Sequence, residues 1–597
     1  QPSAMETVDL LIVGAGWHGL AMAKTFLEVC PNENVLIVDS AASIGGVWAH
    51  ERVYPGLKTN NLIGSYEFSD FPMTPEKYGC KQKSHIPGAT VHKYLCDAAQ
   101  HFDITRRVRL KTKVQTARLV EDSSWIVDTV ALSDSESPGN GDNLQTILAR
   151  RLVIATGTTS EPFRPTFVNE STFAGPIVHS KELREQSQVL GAASSIVVVG
   201  GNKSAFDVAY TAAQNDTEVH MVMRPSGGGP SWVWPSRFSF FGISTSIARL
   251  SFTRFVSWFD PCIWARDSWI RWLLHRTWVG RKLTALFWTL LRRKVERLNG
   301  YDKHEALRLL KPWTSPYWMG NSLSANNYEE PWFALARRGK IKIHIGNVES
   351  LDERAVHFTD GTVVDADVLV CCTGWKAAPP IRFIPDDIHA RLGLPGSIYE
   401  PDQETLQADR HIFSLFPDLH EGPIKQIPSP RGRSIQKRPE HQHEGQATTA
   451  YRLYRFSVPT DPQFLRYRTI AFAGAHLSVH AIAIAQVQAL WITAFFLDRI
   501  GTLSIDQLTS STLGKVRSET VLYAEFERLR RPPEAGGSGH RYPEMVFDSM
   551  PYVDMLLQEL GIQIYRKGSW WRELFTSYGV RDYKGLVQEW MKSNKLK

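Results

Sequence analysis

Short, unbroken apolar runs recur along this chain. They include Leu10–Val13, Val35–Val38, Leu152–Ala155, Ile196–Val199, Val368–Cys371 and Ile470–Ala473, and Val219–Met223 is broken only by His220. Runs of this length without polar alternation read as strands buried on both faces. Helical periodicity separates several of them, as at Ala21–Phe26, His92–Phe102 and Phe206–Ala213. Strands alternating with helices predict parallel sheets in an α/β fold. Arg109–Val120 and Ser124–Leu132 read as further strands, and Ile341–Val348 and Ala355–Phe358 as returning ones. Ser133–Asn143 is rich in Ser, Gly and Asp, and Glu421–Ala447 has few apolar residues, so both read as surface loops. A Trp- and Arg-rich stretch over about 227–332 reads as mostly helical, as does the chain after about residue 501, with a break at Pro532–Gly539.

The turns that end these strands carry the candidate chemistry. The first run enters Gly14-Ala15-Gly16-Trp17-His18-Gly19, a G-x-G-x-x-G turn. Gly14 permits the tight turn, Gly16 lets a phosphate approach the backbone, and Gly19 lets the helix pack on its strand. The helix N-terminus offers unpaired N–H groups to a pyrophosphate. The next strand ends in Asp39, where such folds place a ribose-hydroxyl acceptor. A second signature, Gly200-Gly201-Asn202-Lys203-Ser204-Ala205, follows Ser195–Val199. Asn202 replaces the middle glycine, and its tolerance of positive φ is expected to preserve the turn. Lys203 and Ser204 can reach phosphate oxygens. Arg224 ends the following strand, where an arginine favours the 2′-phosphate of NADP over the free ribose of NAD. The alternative is an arginine that simply ends a strand in solvent.

Composition narrows the class. A length of 597 residues implies two or more domains, and 43% apolar with 22% charged residues is a globular balance. The net charge of +7 gives no case for a nucleic-acid partner. Six scattered cysteines suit a reducing compartment, and a first strand close to the start leaves no room for a secretory signal, so a cytoplasmic location is expected. No metal site is expected, because the cysteines lack ligand spacing and His441 and His443 have only Glu440 and Glu444 near them. The apolar stretch Val479–Leu497, interrupted by His480, Gln486 and Gln488, reads as a buried core helix rather than a membrane span. Trp269–Arg293 mixes tryptophans with arginines. It could lie in a membrane interface as a basic amphipathic helix, or pack as an ordinary helix with a solvated basic face.

Two dinucleotide folds in one chain suggest two facing cofactors. The first suits FAD, the second, with Arg224, suits NADPH, and the chemistry joining them is hydride transfer. Reduced flavin needs an acceptor. A disulfide is one option, but there is no C-x-x-C pair and adjacent Cys371-Cys372 ends a buried strand. Dioxygen is the other.

The chain resembles the flavin-containing monooxygenases, class B flavoproteins related to Baeyer–Villiger and N-hydroxylating enzymes. Phe173-Ala174-Gly175 through His179 resembles the family fingerprint F-x-G-x-x-x-H. Gly45-Gly46-Val47-Trp48 is similar to its G-G-x-W segment beside the flavin, and the stretch from Tyr54 through Thr59-Asn60 to Pro72 to its active-site loop. Ala155-Thr156-Gly157 and Thr373-Gly374-Trp375 correspond to its two A-T-G-type segments, and Gln488-Ala489 with Trp491 to a late Q-A-x-W. Leu183 departs from the aromatic usual four residues after the fingerprint histidine, where Baeyer–Villiger enzymes carry tryptophan.

The resemblance implies a discontinuous FAD domain (1–165 and 373–500), an inserted NADPH domain (166–372) and a helical extension (501–597). It implies that Gly46, Val47, Trp48, Thr59, Val114, Thr156, Gly157, Thr373, Gly374 and Gln488 join the glycines and Asp39 around the cofactors. By family position Asn60 is the catalytic residue, a hydrogen-bond partner beside the reacting flavin and nicotinamide. Without the resemblance it reads as a turn asparagine. The implied reaction is NADPH reduction of FAD, addition of O2 as a C4a-hydroperoxide, and transfer of one oxygen atom to a small organic substrate, plausibly a specialised metabolite. Baeyer–Villiger insertion and NADPH oxidation without oxygen transfer are the alternatives.

Overall fold

The computed structural model describes residues 5–81, 83–121, 123–132, 144–396, 400–428, 435–437 and 449–596. Two sheets dominate. The first orders its strands Arg382–Ile384, Thr112–Leu119, Trp125–Ala131, Leu144–Ile154, Glu6–Val13, Val35–Val38 and Val108–Arg109, and Ile470–Phe472 also pairs with Leu144–Ile154. Glu6–Val13 lies parallel to both neighbours, with Val13 opposite Val38 and Ile154. The second sheet is parallel throughout, in the order Ile341–Ile345, Glu218–Met223, Ser195–Val199, Val368–Cys371 and Ile177–His179. All its strands fall between two separated parts of the first sheet. Their continuous apolar sequence follows from burial on both faces.

The apolar stretch near residue 480 forms the helix Ala481–Phe496, buried at every position after its first residue. It packs against the glycine-turn helix Trp17–Val29 and the helix Ser549–Glu559. A helix apolar all round belongs in a core.

The insertion is less uniformly helical than its composition suggests. It opens with the strand Trp232–Pro235, paired parallel with Leu323–Asn326, and a hairpin of Phe238–Phe240 with Ile243–Thr245. Pairing across ninety residues overrides local propensity here. Trp269–Arg293 is not one helix. Trp269–Arg276 and Trp278–Asn299 meet at Thr277, whose extended backbone (φ −86°, ψ 150°) breaks the first, and whose hydroxyl accepts from Gly280 N–H to cap the second. In the 421–447 loop, Lys425–Ile427 pairs with Ile435–Lys437. The rest of that stretch, including His441 and His443, lies outside the described residues, as does Ser133–Asn143.

The insertion and the C-terminal extension share a buried ionic cluster. Asp260 faces Arg530 and Arg531, and Arg531 also faces Asp548, all within 1% of full burial. Glu527 and Glu544 adjoin it, and Glu544 N–H donates to Glu527. Removing one partner from such a cluster leaves an uncompensated buried charge, so the two segments are committed to each other.

Candidate active site

The glycines of the first turn answer to different neighbours. A Cβ on Gly14 (φ +115°) would stand 2.4 Å from Ala155 O, and one on Gly19 would stand 1.9 Å from Gly14 O. The fold itself therefore demands both. A Cβ on Gly16 would meet nothing nearer than 3.5 Å. Glycine there is unexplained by the chain and is what close approach of a phosphate requires. Asp39 accepts from Ala15 N–H at 2.6 Å and from Ala41 N–H at 2.8 Å, which ties the turn to the second strand. Val114 is buried on the strand whose start is bonded to Asp39 O through Thr112 N–H.

Buried polar groups without protein partners lie against this turn. His18 Nδ1 and both ring nitrogens of His476 have none, and the two rings sit 5.1 Å apart. Burial lowers the His18 pKa to about 4 and holds that of His476 well below its usual value, so both are neutral. Gly474 packs on the His18 ring, and its N–H donates to Gln488 Oε1 at 3.0 Å. The Gln488 amide nitrogen reaches Ser457 Oγ at 3.0 Å. Gln488 thus braces the Gly474 turn, with its side chain engaged by protein. A glycine open toward the helix N-terminus, with orphaned donors and acceptors around it, fits a dinucleotide such as FAD.

The second turn corrects the expectation for Asn202. Its φ is −99°, ordinary extended backbone, as is the −85° of Gly16 at the equivalent helix N-cap. Neither position needs a left-handed residue, so asparagine costs no strain. Gly200 (φ +143°) does carry one, and its Cβ would lie 2.6 Å from Cys372 O. Arg224 is exposed and ion-paired to nothing among the described residues.

Between the two nucleotide folds lies a cleft of about 340 Å³. Val47, Trp48, Thr59 and Asn60 line it from the first fold, and Lys203 and Ser204 from the second. Gly46 (φ +61°) backs onto Gly16, and Trp48 Nε1–H donates to Tyr66 OH at 2.9 Å. Asn60 sits on the strand Lys58–Leu62 and accepts from Ala325 N–H at 3.3 Å. The Thr59 carbonyl accepts from the Asn327 amide at 3.1 Å and bonds His85 at 2.9 Å, and His85 reaches Ser236 at 2.8 Å. The stem of the insertion therefore holds the Asn60 segment in place.

Several cleft residues were not evident from the motifs. Asp207 accepts from Tyr54 OH at 2.7 Å and Tyr328 OH at 2.8 Å, and pairs with Lys203. Burial, then the charge of Asp207, raises the Tyr54 phenol well above its usual range. Arg52 lies over the Trp375 ring at 5.2 Å, and burial lowers its pKa to about 10. Lys181 donates to Ser160 O at 2.7 Å. Arg52, Lys181 and Lys203 give the cleft a cationic wall suited to phosphates. Tyr54 opens the stretch that resembles the active-site loop, and Asp207 falls on the helix Lys203–Gln214 that follows the second glycine turn.

Thr156, Gly157, Thr373 and Gly374 lie where the chain crosses between folds. Pro162 and Trp375 form an antiparallel bridge, and Thr373 Oγ1–H donates to Phe163 O at 2.5 Å. His179 Nε2 bonds Gly374 O at 3.0 Å while Nδ1 accepts from Lys181 N–H at 3.1 Å. With both nitrogens engaged and its pKa lowered by burial, His179 braces the crossing rather than acting as a base. All six cysteines are free. Burial pushes the Cys371 thiol up to about 12 and Cys372 higher, which disfavours the thiolate that disulfide chemistry needs.

Comparison with known proteins places relatives beside this chain. Residues 11–233 match a family described as pyridine nucleotide-disulphide oxidoreductase. The FAD-dependent monooxygenase rstn6 of Aspergillus nomiae is 30% identical over 99% of both chains. An FAD-dependent monooxygenase of Pyrenophora dematioidea is 32% identical over 94% of this chain and 98% of its own. Among solved structures, closed cyclohexanone monooxygenase shares the fold at a TM-score of 0.55 and 15% identity, over 93% of this chain and 97% of that one. S-allyl-L-cysteine S-oxygenase of Allium sativum aligns at 0.52 and 15%, over 99% and 94%.

Proposed function

This chain belongs to the FAD-dependent monooxygenases, and from that premise we propose that it uses NADPH and O2 to oxygenate a small organic molecule of specialised metabolism. The observation that carries the reading is the shared cleft, where Trp48 and Asn60 of one dinucleotide fold face Lys203 and Ser204 of the other. When bound, FAD accepts hydride and activates dioxygen.

The residues of the chain bind, orient and exclude water. Gly14 and Gly19 shape the turn at which Gly16 would admit the FAD pyrophosphate, and Asp39 would face its ribose, in segments 1–165 and 373–500. Gly200, Lys203, Ser204 and Arg224 would hold NADPH in 166–372. Arg224, free of ion pairs among the described residues, takes the 2′-phosphate. Asp207 sets the position of Lys203 and ties it to Tyr54 and Tyr328. The Asn60 carbonyl oxygen faces Ala325 N–H, which leaves its amide N–H2 to donate into the cleft. The buried thiols support dioxygen as the acceptor over a cysteine pair. Product mass analysis under ¹⁸O2 with candidate substrates tests the reading. One labelled oxygen atom in the product supports it. NADPH consumption that yields only hydrogen peroxide across substrates overturns it in favour of an oxidase.

A further inference from the structure

The helix Trp278–Asn299 is apolar on two sides. Its inner stripe, Gly280, Thr284, Phe287, Trp288, Leu291 and Val295, is buried. A second stripe, Val279, Leu283, Leu286 and Leu290, repeats at helical spacing and is exposed. A surface helix of a globular protein carries one apolar stripe, facing the core. Trp269 and Trp278, at the starts of the paired helices, each leave 72% of their surface open.

Two other elements extend this face. At the tip of the hairpin, Phe241 adopts a left-handed φ of +47° and is 68% exposed. A bulky residue pays a conformational cost there, and its ring meets Phe240 at 4.4 Å while most of its surface stays open. In the extension, Trp570 and Trp571 stack at 4.3 Å in the open. One ring cluster, buried at Phe240 and Phe287, joins all three elements. Phe240 meets Phe287 edge-on, Phe259 stacks on Phe287 at 4.3 Å, and Phe255 bridges Phe259 to Phe575 of the tryptophan-bearing helix. Trp570 and Ser268, the residue before Trp269, also line one depression of about 820 Å³.

The charge on this face selects its occupant. Residues 269–298 hold eight Lys or Arg and one acid, Glu296, which pairs with Arg292 and Lys311. Lys282 and Arg297 beside the exposed stripe, and Arg293 within a turn of it, make no ion pair among the described residues. A second copy would bring like charge against like charge. Exposed tryptophans flanked by Lys and Arg suit the headgroup level of a bilayer, where indole buries its ring and keeps its N–H wet.

We propose that the paired helices, the hairpin tip and the Trp570–Trp571 helix dock this protein peripherally on a bilayer bearing anionic lipids. The candidate span Ala481–Gln507 has no part in it, since its helix Ala481–Phe496 is buried in the core. The test is flotation of the flavin-loaded full chain with vesicles of phosphatidylcholine, alone or with about one third phosphatidylserine. Quenching of tryptophan fluorescence by bromine-labelled lipid is read in parallel. Wild type is expected to float with the anionic vesicles, to be quenched, and to be released by salt. Lys282→Gln, Arg293→Gln and Arg297→Gln each cut partitioning about fivefold, and together about a hundredfold. Leu283→Ser with Leu286→Ser abolishes quenching. All five positions are exposed, and bound-flavin absorbance with melting temperature reports folding. Absence of flotation with either vesicle overturns the proposal. So does concentration-dependent self-association that the leucine substitutions abolish, which would give the face to a second copy.

Discussion

Gly16→Ala and Gly19→Ala separate a glycine kept for a ligand from one kept for the fold. At Gly19 the added Cβ would stand 1.9 Å from Gly14 O, a main-chain atom unable to rotate away. The turn or the helix must shift by more than an ångström, and overpacking of this kind costs about 1–3 kcal/mol. At Gly16 the nearest atom, Gly46 Cα, would be 3.5 Å away, and φ is −85°, which alanine adopts freely. The loss of an N-cap glycine and the gain from a stiffer unfolded chain are each below about 1 kcal/mol and oppose one another. Gly16→Ala should therefore leave the flavin-free protein within about 1 kcal/mol of wild type. Its cost appears on binding, where the methyl holds the phosphate off the turn. Losing one or two charge-assisted hydrogen bonds at about 1.5–3 kcal/mol each weakens FAD by roughly 10- to 10⁴-fold. Denaturant unfolding of the flavin-stripped variants, followed by fluorescence titration with FAD, measures both terms. FAD affinity in Gly16→Ala within threefold of wild type would refute the reasoning, as would a flavin-free Gly19→Ala as stable as wild type.

Three further outcomes are expected. Burial, then the charge of Asp548, raises Glu527 from about 4.5 to about 8. The folded state holds a proton that the unfolded state has released, so stability falls as pH rises from about 4.5 to 8 and levels above it. Denaturant midpoints across that window should show Glu527→Gln flatter than wild type, and more stable at pH 8 by on the order of 3 kcal/mol. Arg224→Ala should raise the NADPH Kd by roughly 10- to 100-fold and leave NADH unchanged, since only the former loses a charge-assisted bond; stopped-flow flavin reduction with both nucleotides checks it. Asn60→Ala should leave flavin reduction by NADPH near wild type but lower product formed per NADPH by about tenfold or more, with peroxide making up the difference.

What could be read from sequence was what local sequence determines. Apolar runs located most strands of both sheets but not Ile177–His179 or Arg382–Ile384, and the turns at Gly14 and Gly200 were legible because strand, turn and helix are neighbours in the chain. Asn202 was misjudged because spacing alone does not say which position of the turn is left-handed. That residue is Gly200, not Asn202. Pairing of Trp232–Pro235 with Leu323–Asn326 left no local trace, nor did Tyr54 and Tyr328 converging on Asp207, because the partners lie far apart in the chain. The buried cluster of Asp260, Arg530, Arg531 and Asp548 is hidden for a related reason. Sequence shows ordinary charged residues, and only the fold removes them from water.

The interleaving of the two sheets dictates an order of assembly during synthesis. The second sheet has all its strands once Cys371 has emerged, whereas the first, begun at Glu6, lacks its strand Ile470–Phe472 for about a hundred residues more. At about 5–20 residues per second this is a delay of several seconds. Throughout it, one flank of Leu152–Ile154 lacks a partner strand, and the helix Ala481–Phe496 that covers the glycine turn has yet to be made. The nucleotide fold that starts first is thus the last to close, and nascent chains stalled between residues 372 and 470 are the species most exposed to aggregation.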